Sequence, residues 1–273
     1  MTTQTLQKII VRMLFDQTFC NAIYADPASA LGPVQIEQET RDWLRQTDRR
    51  RWNVDTARCA RTLSALLEEY PSSAVLCSQH TELNALLSFF ESRVFHDAIM
   101  NDVSLALAFG AWLSTMSYSD TPMVRLEICI AQRRRLRPHS GSDSLYCLSN
   151  AVDVLAVAAG TLARYQAIQS GLPTDPKDRV EHIMTLSARK VYSAQSVPVS
   201  EREFLIVDLT ETGGVGDASE DLYKWLKHFR HGLSHQEMLD MSENMGLNST
   251  ESVSLVNDMV ADGLIAINEV RPL

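Results

Sequence analysis

The sequence predicts an α+β protein with a mainly helical N-terminal domain, a small β element and a C-terminal winged helix-turn-helix module. Apolar residues recur at helical spacing through residues 1–136, and then at the shorter period of strands in residues 145–157. Toward the C-terminus, helix-start and helix-stop residues alternate three times. A linker-like stretch at residues 197–200 separates the two parts, so we expect domains at 1–195 and 196–273.

The N-terminal domain is expected to consist of consecutive helices. Leu6, Ile9 and Met13 share one face of the first helix, and Asp55 caps a long helix that Pro71 ends. Further helices are expected at residues 16–24, 36–47, 81–93, 95–116, 122–136 and 160–170. Hydrophobic residues make up 45% of the chain, which is sufficient for a sizeable core.

Short strands are expected on either side of the domain boundary. Residues 145–148 and 152–157 have strand-like composition and are expected to be joined at Ser149-Asn150. Residues 203–210 are the best strand candidate ahead of the C-terminal helices. The glycine-rich run at 213–216 is the expected turn after that strand.

The C-terminal module is expected to contain three helices and a closing strand. The second helix begins at Ser234, and Glu237 follows at the spacing of a capping box. Ser249 or Thr250 caps the third helix. The residues expected on the inner side of that helix are Val253, Val256, Met259 and Val260. Residues 264–267 are apolar enough for a short strand.

The acidic excess of the chain lies in this module. The chain has 25 Lys and Arg against 34 Asp and Glu, a formal net charge of −9 at pH 7. Residues 200–273 hold 14 acidic and five basic residues, which accounts for the whole excess. A DNA-binding module neutralises phosphates with Lys and Arg, and the expected third helix contains neither. Peptide binding is therefore favoured over a DNA-binding transcriptional regulator or a simple docking module.

A set of residues in this module has a recognisable spacing. It consists of Phe229, Gly232, Ser234, Gly246, Val253, Asp262, Gly263, Leu264 and Ile265. This pattern resembles the PqqD-like peptide-recognition domains of peptide-modifying enzymes. The resemblance implies that the leader part of a precursor peptide adds as a strand to the edge of a small sheet and packs against the third helix.

That mode of binding implies contacts from one edge strand and from the outer side of the third helix. Alternate residues of a strand share a face, and residues opposite the inner valines share the outer helix face. The candidate peptide-binding residues are Phe204, Ile206, Asp208, Ser254, Asn257, Asp258 and Ala261.

A second resemblance covers the N-terminal part of the chain, with motifs at residues 11–16, 26–31, 50–58 and 63–71. This pattern resembles the partner subunits of multinuclear non-heme iron peptide-modifying oxygenases, most closely those of 3-thiaglutamate biosynthesis. The resemblance implies a heterodimer in which a separate enzyme holds the iron. This chain would have no cofactor and would present the precursor peptide. The implied reaction of the pair excises the β-carbon of a C-terminal peptide cysteine.

No catalytic motif or metal-ligand set is found in the sequence, so we expect no catalytic or metal-binding residue in this chain. His228, His231 and His235 have ligand-like spacing, but Gly232 is expected to end the helix between them. His96 is expected to be an ordinary surface residue. An enzyme that acts alone remains a third alternative.

Two arginine-rich clusters are candidate contact surfaces for the partner enzyme. Their candidate residues are Arg50, Arg51, Trp52, Arg134 and Arg135. Trp52 beside Arg51 is the kind of aromatic–arginine pair that is enriched at interface hot spots. A solvated, salt-bridged face is an equal alternative. RNA binding is a weaker one, because few aromatic residues are interleaved with the arginines.

The sequence also predicts the compartment. No apolar run is long enough to span a membrane, and the first residues are too polar for a signal peptide. The five cysteines are scattered and form no C-x-x-C pair. We therefore expect a cytoplasmic protein with reduced thiols and without a membrane partner.

Overall fold

The computed structural model shows a mainly helical protein with a small antiparallel β element, which confirms the α+β class. It describes residues 3–32, 36–52, 56–136, 146–185, 201–210 and 213–267. The chain divides into two compact units. Unit 1 holds Met1–Val124 and Gln169–Tyr192, and unit 2 holds Arg125–Ile168 and Ser193–Leu273.

The elements are numbered in chain order. The helices are α1 (Thr3–Phe15), α2 (Gln17–Ala25), α3 (Pro27–Leu31), α4 (Gln38–Gln46), α5 (Thr56–Glu69), α6 (Pro71–Ser78), α7 (Arg93–Met100), α8 (Leu105–Leu113), α9 (Thr121–Arg133), α10 (Thr161–Gly171), α11 (Pro176–Thr185), α12 (Glu220–His228), α13 (His235–Asn244) and α14 (Ser249–Ala261). The strands are β1 (Tyr146–Leu148), β2 (Val152–Ala158), β3 (Arg202–Asp208), β4 (Val215–Ala218) and β5 (Ile265–Ile267). Short 3-10 helices lie at Arg49–Trp52, Leu83–Glu91 and Phe229–His231. Among the described helices, none combines the length and apolar character that a membrane crossing requires.

Local sequence signals explain the helix boundaries in unit 1. Asp16 caps α2, because its carboxylate accepts the backbone N–H of Phe19 at 2.8 Å. Asp26 caps α3 in the same way. The single helix expected at 95–116 is two helices instead, because the chain turns at Asp102, whose φ is +55°.

The core of unit 1 is rich in aromatic side chains. Phe89 packs edge-on against Phe109 with ring centroids 5.1 Å apart, and Phe95 packs against Phe89 in a similar way. Tyr70 is fully buried, and its hydroxyl donates to the backbone oxygen of Ala106 at 2.7 Å. Such aromatic pairs contribute about 0.5–1.5 kcal/mol each beyond the burial of their surface.

Unit 2 contains a three-stranded antiparallel sheet in the order β2-β3-β4. Ile206 of β3 lies opposite Val154 of β2, and Phe204 lies opposite Ala218 of β4. Strand β2 therefore joins the C-terminal part of the chain, although the expected boundary after residue 195 assigned it to the N-terminal domain. The sheet differs from the expected division of the chain because β2 pairs with β3, a strand that is distant from it in sequence.

A second, two-stranded sheet pairs β1 with β5, with Leu148 opposite Ile265. The backbone of Tyr146 also exchanges hydrogen bonds with that of Leu233, at 2.7 and 3.0 Å. The two strands expected at 145–148 and 152–157 are both present and are joined at Ser149-Asn150, but they belong to different sheets. Leu148 and Ile265 are buried in the same apolar cluster, and this burial favours the long-range pairing.

Helices α12 to α14 follow the three-stranded sheet in sequence, and a polar cap begins each of them. The capping box of Ser234 and Glu237 is confirmed. The cap of α14 is Asn248, which forms a second capping box with Glu251, so the expected caps at Ser249 or Thr250 are wrong. Residues from both sheets and all three helices share one apolar core. Its fully enclosed members are Leu148, Val152, Val154, Trp225, Leu226, Phe229, Met238, Val256 and Ile265.

Candidate peptide-binding surface

The outer edge of strand β4 presents backbone groups that the sheet does not use. Asp208 donates its N–H to the oxygen of Gly214 at 2.8 Å, which fixes the hydrogen-bonded pairs of the β3–β4 ladder. Paired and unpaired positions alternate along an antiparallel strand, so the N–H and C=O groups of Val215 and Asp217 point away from β3. Within the described part of the chain, no strand pairs with this edge.

Helix α12 covers one face of the same sheet. Trp225 and Phe229 are buried against Val154, with their own ring centroids 4.7 Å apart. The indole N–H of Trp225 donates to the hydroxyl of Ser242 on α13 at 3.4 Å. Helix α12 follows β4 in sequence, and this packing holds the helix in a fixed position against the sheet.

An apolar groove of about 450 Å³ runs beside α12. Its apolar wall consists of Leu222, Trp225, Met245, Leu247 and Leu255. Met245 is 38% exposed, which is high for a large apolar side chain. The groove therefore offers an apolar surface between α12 and the segments that carry α13 and α14.

The strand residues expected to contact a peptide do not lie at an edge. Strand β3 is confirmed, but it is the central strand, so its expected role as the pairing edge is wrong. Phe204 is half-buried against Tyr223, with ring centroids 4.9 Å apart, and Ile206 packs into the core. Asp208 accepts the N–H of Thr210 at 2.9 Å and thereby shapes the following turn. The edge strands are β2 and β4, and β4 begins within the expected turn at 213–216.

Helix α14 presents its expected outer residues to solvent, because Ser254, Asn257, Asp258 and Ala261 are all exposed. Val253, expected on the inner side, is 37% exposed. The inner side instead includes Ser252, which is buried. Its hydroxyl donates a hydrogen bond to the backbone oxygen of Asn248 at 2.8 Å. A serine at a buried position is the reason why the apolar pattern alone misplaced Val253.

The candidate partner-binding arginines are exposed, but the tryptophan is not. Arg50, Arg51, Arg134 and Arg135 all lie at the surface. Trp52 is only 6% exposed and packs edge-on against Trp43 at a centroid distance of 6.2 Å. Its expected place in an exposed aromatic–arginine pair is therefore wrong, because it belongs to the core of unit 1.

A buried carboxylate in unit 2 was missed by the sequence analysis. Asp153 is 6% exposed. Its carboxylate accepts hydrogen bonds from the Nε of Arg133 at 2.9 Å and from the Nε of Arg230 at 2.8 Å. The thiol of Cys129 lies 3.5 Å from the same carboxylate. Burial, together with the charge of Asp153, raises the pKa of Cys129 to about 12. This thiol is therefore not a nucleophile at neutral pH.

Unit 1 contains a second buried ionisable pair. The Nε2 atom of His96 lies 2.8 Å from Asp16, so the expectation of a surface histidine is wrong. Burial alone would raise the pKa of Asp16. The close contact with Nε2 of His96, the hydrogen bond from the N–H of Phe19 and the charge of Arg12 outweigh burial and hold that pKa below its ordinary value. The pair lines a cleft of about 380 Å³.

The three histidines with ligand-like spacing are divided by a glycine of positive φ. Gly232 has a φ of +74° and follows the 3-10 segment after α12, so it separates His235 from His228 and His231. In the residues that the structure describes, no group of three His, Cys, Asp or Glu lies close enough to hold a metal ion.

Comparisons with known proteins give no further assignment. No model of a known protein family matches the chain, and no curated protein matches it. The functional interpretation therefore rests on the geometry of unit 2 and on the sequence patterns.

Proposed function

We propose that this chain is a non-catalytic subunit that binds a ribosomal precursor peptide and presents it to a separate multinuclear iron enzyme. The peptide binds through a C-terminal module of the PqqD-like winged-helix type. The observations that carry the proposal are the open edge of β4 and the apolar groove of α12, the helix that follows β4 in sequence.

An open edge and a neighbouring groove are the two parts that strand addition requires. The backbone groups of Val215 and Asp217 supply hydrogen bonds that do not depend on peptide sequence, and the groove takes alternate apolar side chains. The groove is lined by Leu255 of α14, so a peptide that continues from the β4 edge into the groove contacts the third helix as well. The exposed Asn257 and Asp258 then contact the polar side of the peptide.

The arrangement of elements supports the winged-helix type. Strands β3 and β4 lead into helices α12 to α14, and β5 follows the last helix. Strand β2 pairs with β3 across the intervening helices α10 and α11. The assignment of the iron enzyme as partner rests on the sequence pattern of the N-terminal part. In such a complex this chain would position the substrate. Because the leader of the peptide is bound here, the rest of the peptide reaches the enzyme at a high effective concentration.

The charge distribution favours a peptide over DNA. Helix α14 contains no Lys or Arg, and it carries Glu251 and Asp258. A helix that enters a DNA groove needs cationic or amide side chains toward the bases and cations toward the phosphates. A DNA-binding regulator remains the alternative, and a gel-shift titration with duplex DNA tests it.

The edge is tested by selecting peptides from a phage-displayed random library on the full chain. Binding of the selected peptides is then measured by fluorescence anisotropy with Asp217→Pro and Asp217→Ala. Proline removes an outward N–H and is tolerated on an edge strand, so Asp217→Pro should weaken binding about tenfold. Asp217→Ala keeps the N–H and should bind as the wild type does. Equal affinity of all three proteins would refute binding at this edge.

The role as a partner subunit is tested by co-expression with the product of the neighbouring gene. A stoichiometric complex that contains iron, with none in the chain alone, is the expected result. Stoichiometric iron in the isolated chain would contradict a non-catalytic role and would favour the alternative that this chain is an enzyme that acts alone.

A further inference from the structure

A second cleft, of about 570 Å³, lies in unit 2 between α12 and the strands β2 and β3. Six of its ten lining residues are basic or histidine: Arg202, Lys224, Lys227, His228, Arg230 and His231. Glu220 is the single acidic residue among the ten. This composition contrasts with residues 200–273 as a whole, which carry a net charge of −9.

Some of these charges are already neutralised and others are available. Glu220 forms a salt bridge with Lys224 at 2.9 Å, and Arg230 forms one with Asp153. In the part of the chain that the structure describes, Arg202 and Lys227 form no salt bridge, and both are exposed. The cleft therefore keeps a local excess of positive charge that its own carboxylates do not cancel.

The floor of the cleft is aromatic. Phe204 and Tyr223 lie with their ring centroids 4.9 Å apart, and Ala156 beside them is too small to fill the space. The Nζ of Lys227 lies 6.0 Å from the ring centroid of Tyr223, so the cation is held at the rim of this floor. A ligand that fits has an apolar stem for the rings and an anionic end for Arg202 and Lys227.

The cleft lies next to the apolar groove. Lys224 lines both, so the two sites flank the same helix. Phe204 in the cleft also lies opposite Ala218, the last residue of β4. A chain that occupies the β4 edge is thus within reach of the cleft.

We infer that this cleft binds the side-chain carboxylates of an acidic segment of the bound peptide. The inference rests on the proposed peptide-binding function and adds the chemistry of the peptide. A glutamate has the required shape, because its methylene groups pack on Phe204 and Tyr223 while its carboxylate pairs with Arg202 or Lys227. An extended nucleic acid fits less well, because its phosphates would continue onto the acidic surface outside the cleft.

The test uses the full chain and two short fluorescein-labelled peptides, one rich in Glu and Phe and one with Gln at every Glu. The glutamate peptide should bind about tenfold more tightly at low salt, although the protein as a whole is acidic. The double variant Arg202→Glu with Lys227→Glu should lose this preference. Arg45→Glu with Arg93→Glu changes the net charge equally on exposed residues of unit 1 and should keep it.

Equal binding of the two peptides would overturn the inference, and so would a preference that survives in the Arg202 and Lys227 variant. A single-stranded oligonucleotide that binds more tightly than the glutamate peptide, and is lost in the same variant, would overturn it in favour of nucleic acid. The Asp217→Pro comparison reports separately on the β4 edge. If Asp217→Pro binds the selected peptides as tightly as the wild type and the preference for the glutamate peptide is intact, binding at the β4 edge is refuted. The inference about the cleft then still stands.

Discussion

Asp153 and Arg230, 77 residues apart in sequence, are joined by a hydrogen bond of 2.8 Å. Arg230 also donates to the backbone oxygen of Val154, and Arg133 approaches the other oxygen of the carboxylate at 2.7 Å. The three side chains thus connect α9, β2 and the segment after α12. Since this segment lines the cleft between α12 and the strands β2 and β3, the ionic contact positions that part of the proposed peptide-binding surface.

Replacement of Asp153 with alanine should strongly destabilise unit 2. Removal of the carboxylate leaves two arginines that are partly buried and uncompensated, which costs about 3–5 kcal/mol. The free energy of unfolding is measured by urea titration of the full chain. Asp217→Ala, at an exposed acidic position, is the matched control and should change stability by less than about 0.5 kcal/mol. A similar small effect for Asp153→Ala would show that the cluster is not a stability determinant.

The stability of unit 1 should depend on the ionisation of Asp16. Its pKa in the folded protein lies below the ordinary value of 3.8, so the ionised form stabilises the fold above that pH. This contribution is lost as the pH falls through the folded pKa. Asp16→Asn keeps a capping oxygen but cannot ionise, so the stability difference from wild type should shrink below about pH 4. A difference that is constant with pH would contradict the assignment.

Thiol labelling of the native protein should modify Cys147 first. Cys20, Cys59, Cys77 and Cys129 are buried, whereas Cys147 is half-buried on strand β1. The raised pKa of Cys129 also keeps it protonated at neutral pH. Mass spectrometry after brief alkylation should show one adduct, and Cys147→Ser should remove it. Early modification of Cys129 would mean that its carboxylate cluster opens readily.

Asn257→Arg should weaken peptide binding without unfolding the protein. Asn257 is exposed on α14, so its replacement places a bulky cation beside the proposed peptide and leaves the core unchanged. Gln236→Arg, on the exposed side of α13, is the control of equal size and charge. Circular dichroism checks the fold, and anisotropy with the library-selected peptides checks affinity. Unchanged affinity for Asn257→Arg would remove α14 from the site.

A fragment that begins at residue 196 should not fold on its own. It lacks β1 and β2, and with them the core residues Leu148, Val152 and Val154. Strand β3 would then expose the backbone groups that pair with β2. Far-ultraviolet circular dichroism and proton NMR of the fragment, compared with the full chain, provide the measurement. A cooperative, monomeric fragment would restore the domain boundary expected from the sequence.

Local signals were readable from the sequence, and long-range pairings were not. The capping box of Ser234 and Glu237 depends on residues three apart, and the structure confirms it. The pairing of Cys147 with Ala266 joins residues 119 apart, and no local pattern indicates it. The burial of Trp52 and the contact of His96 with Asp16 likewise depend on neighbours that only the folded chain brings together. For this reason the sequence located the helices well but assigned the edge to the wrong strand.

The interleaving of the two units also determines the order in which the chain acquires its structure during synthesis. Strands β1 and β2 leave the ribosome long before their partners β5 and β3, and the segment between β2 and β3 includes residues of unit 1. The early strands must remain unpaired until the partners arrive, and contacts between distant residues form slowly. Premature termination within the last helix would therefore release a protein in which β1 has no partner strand, with Leu148 exposed.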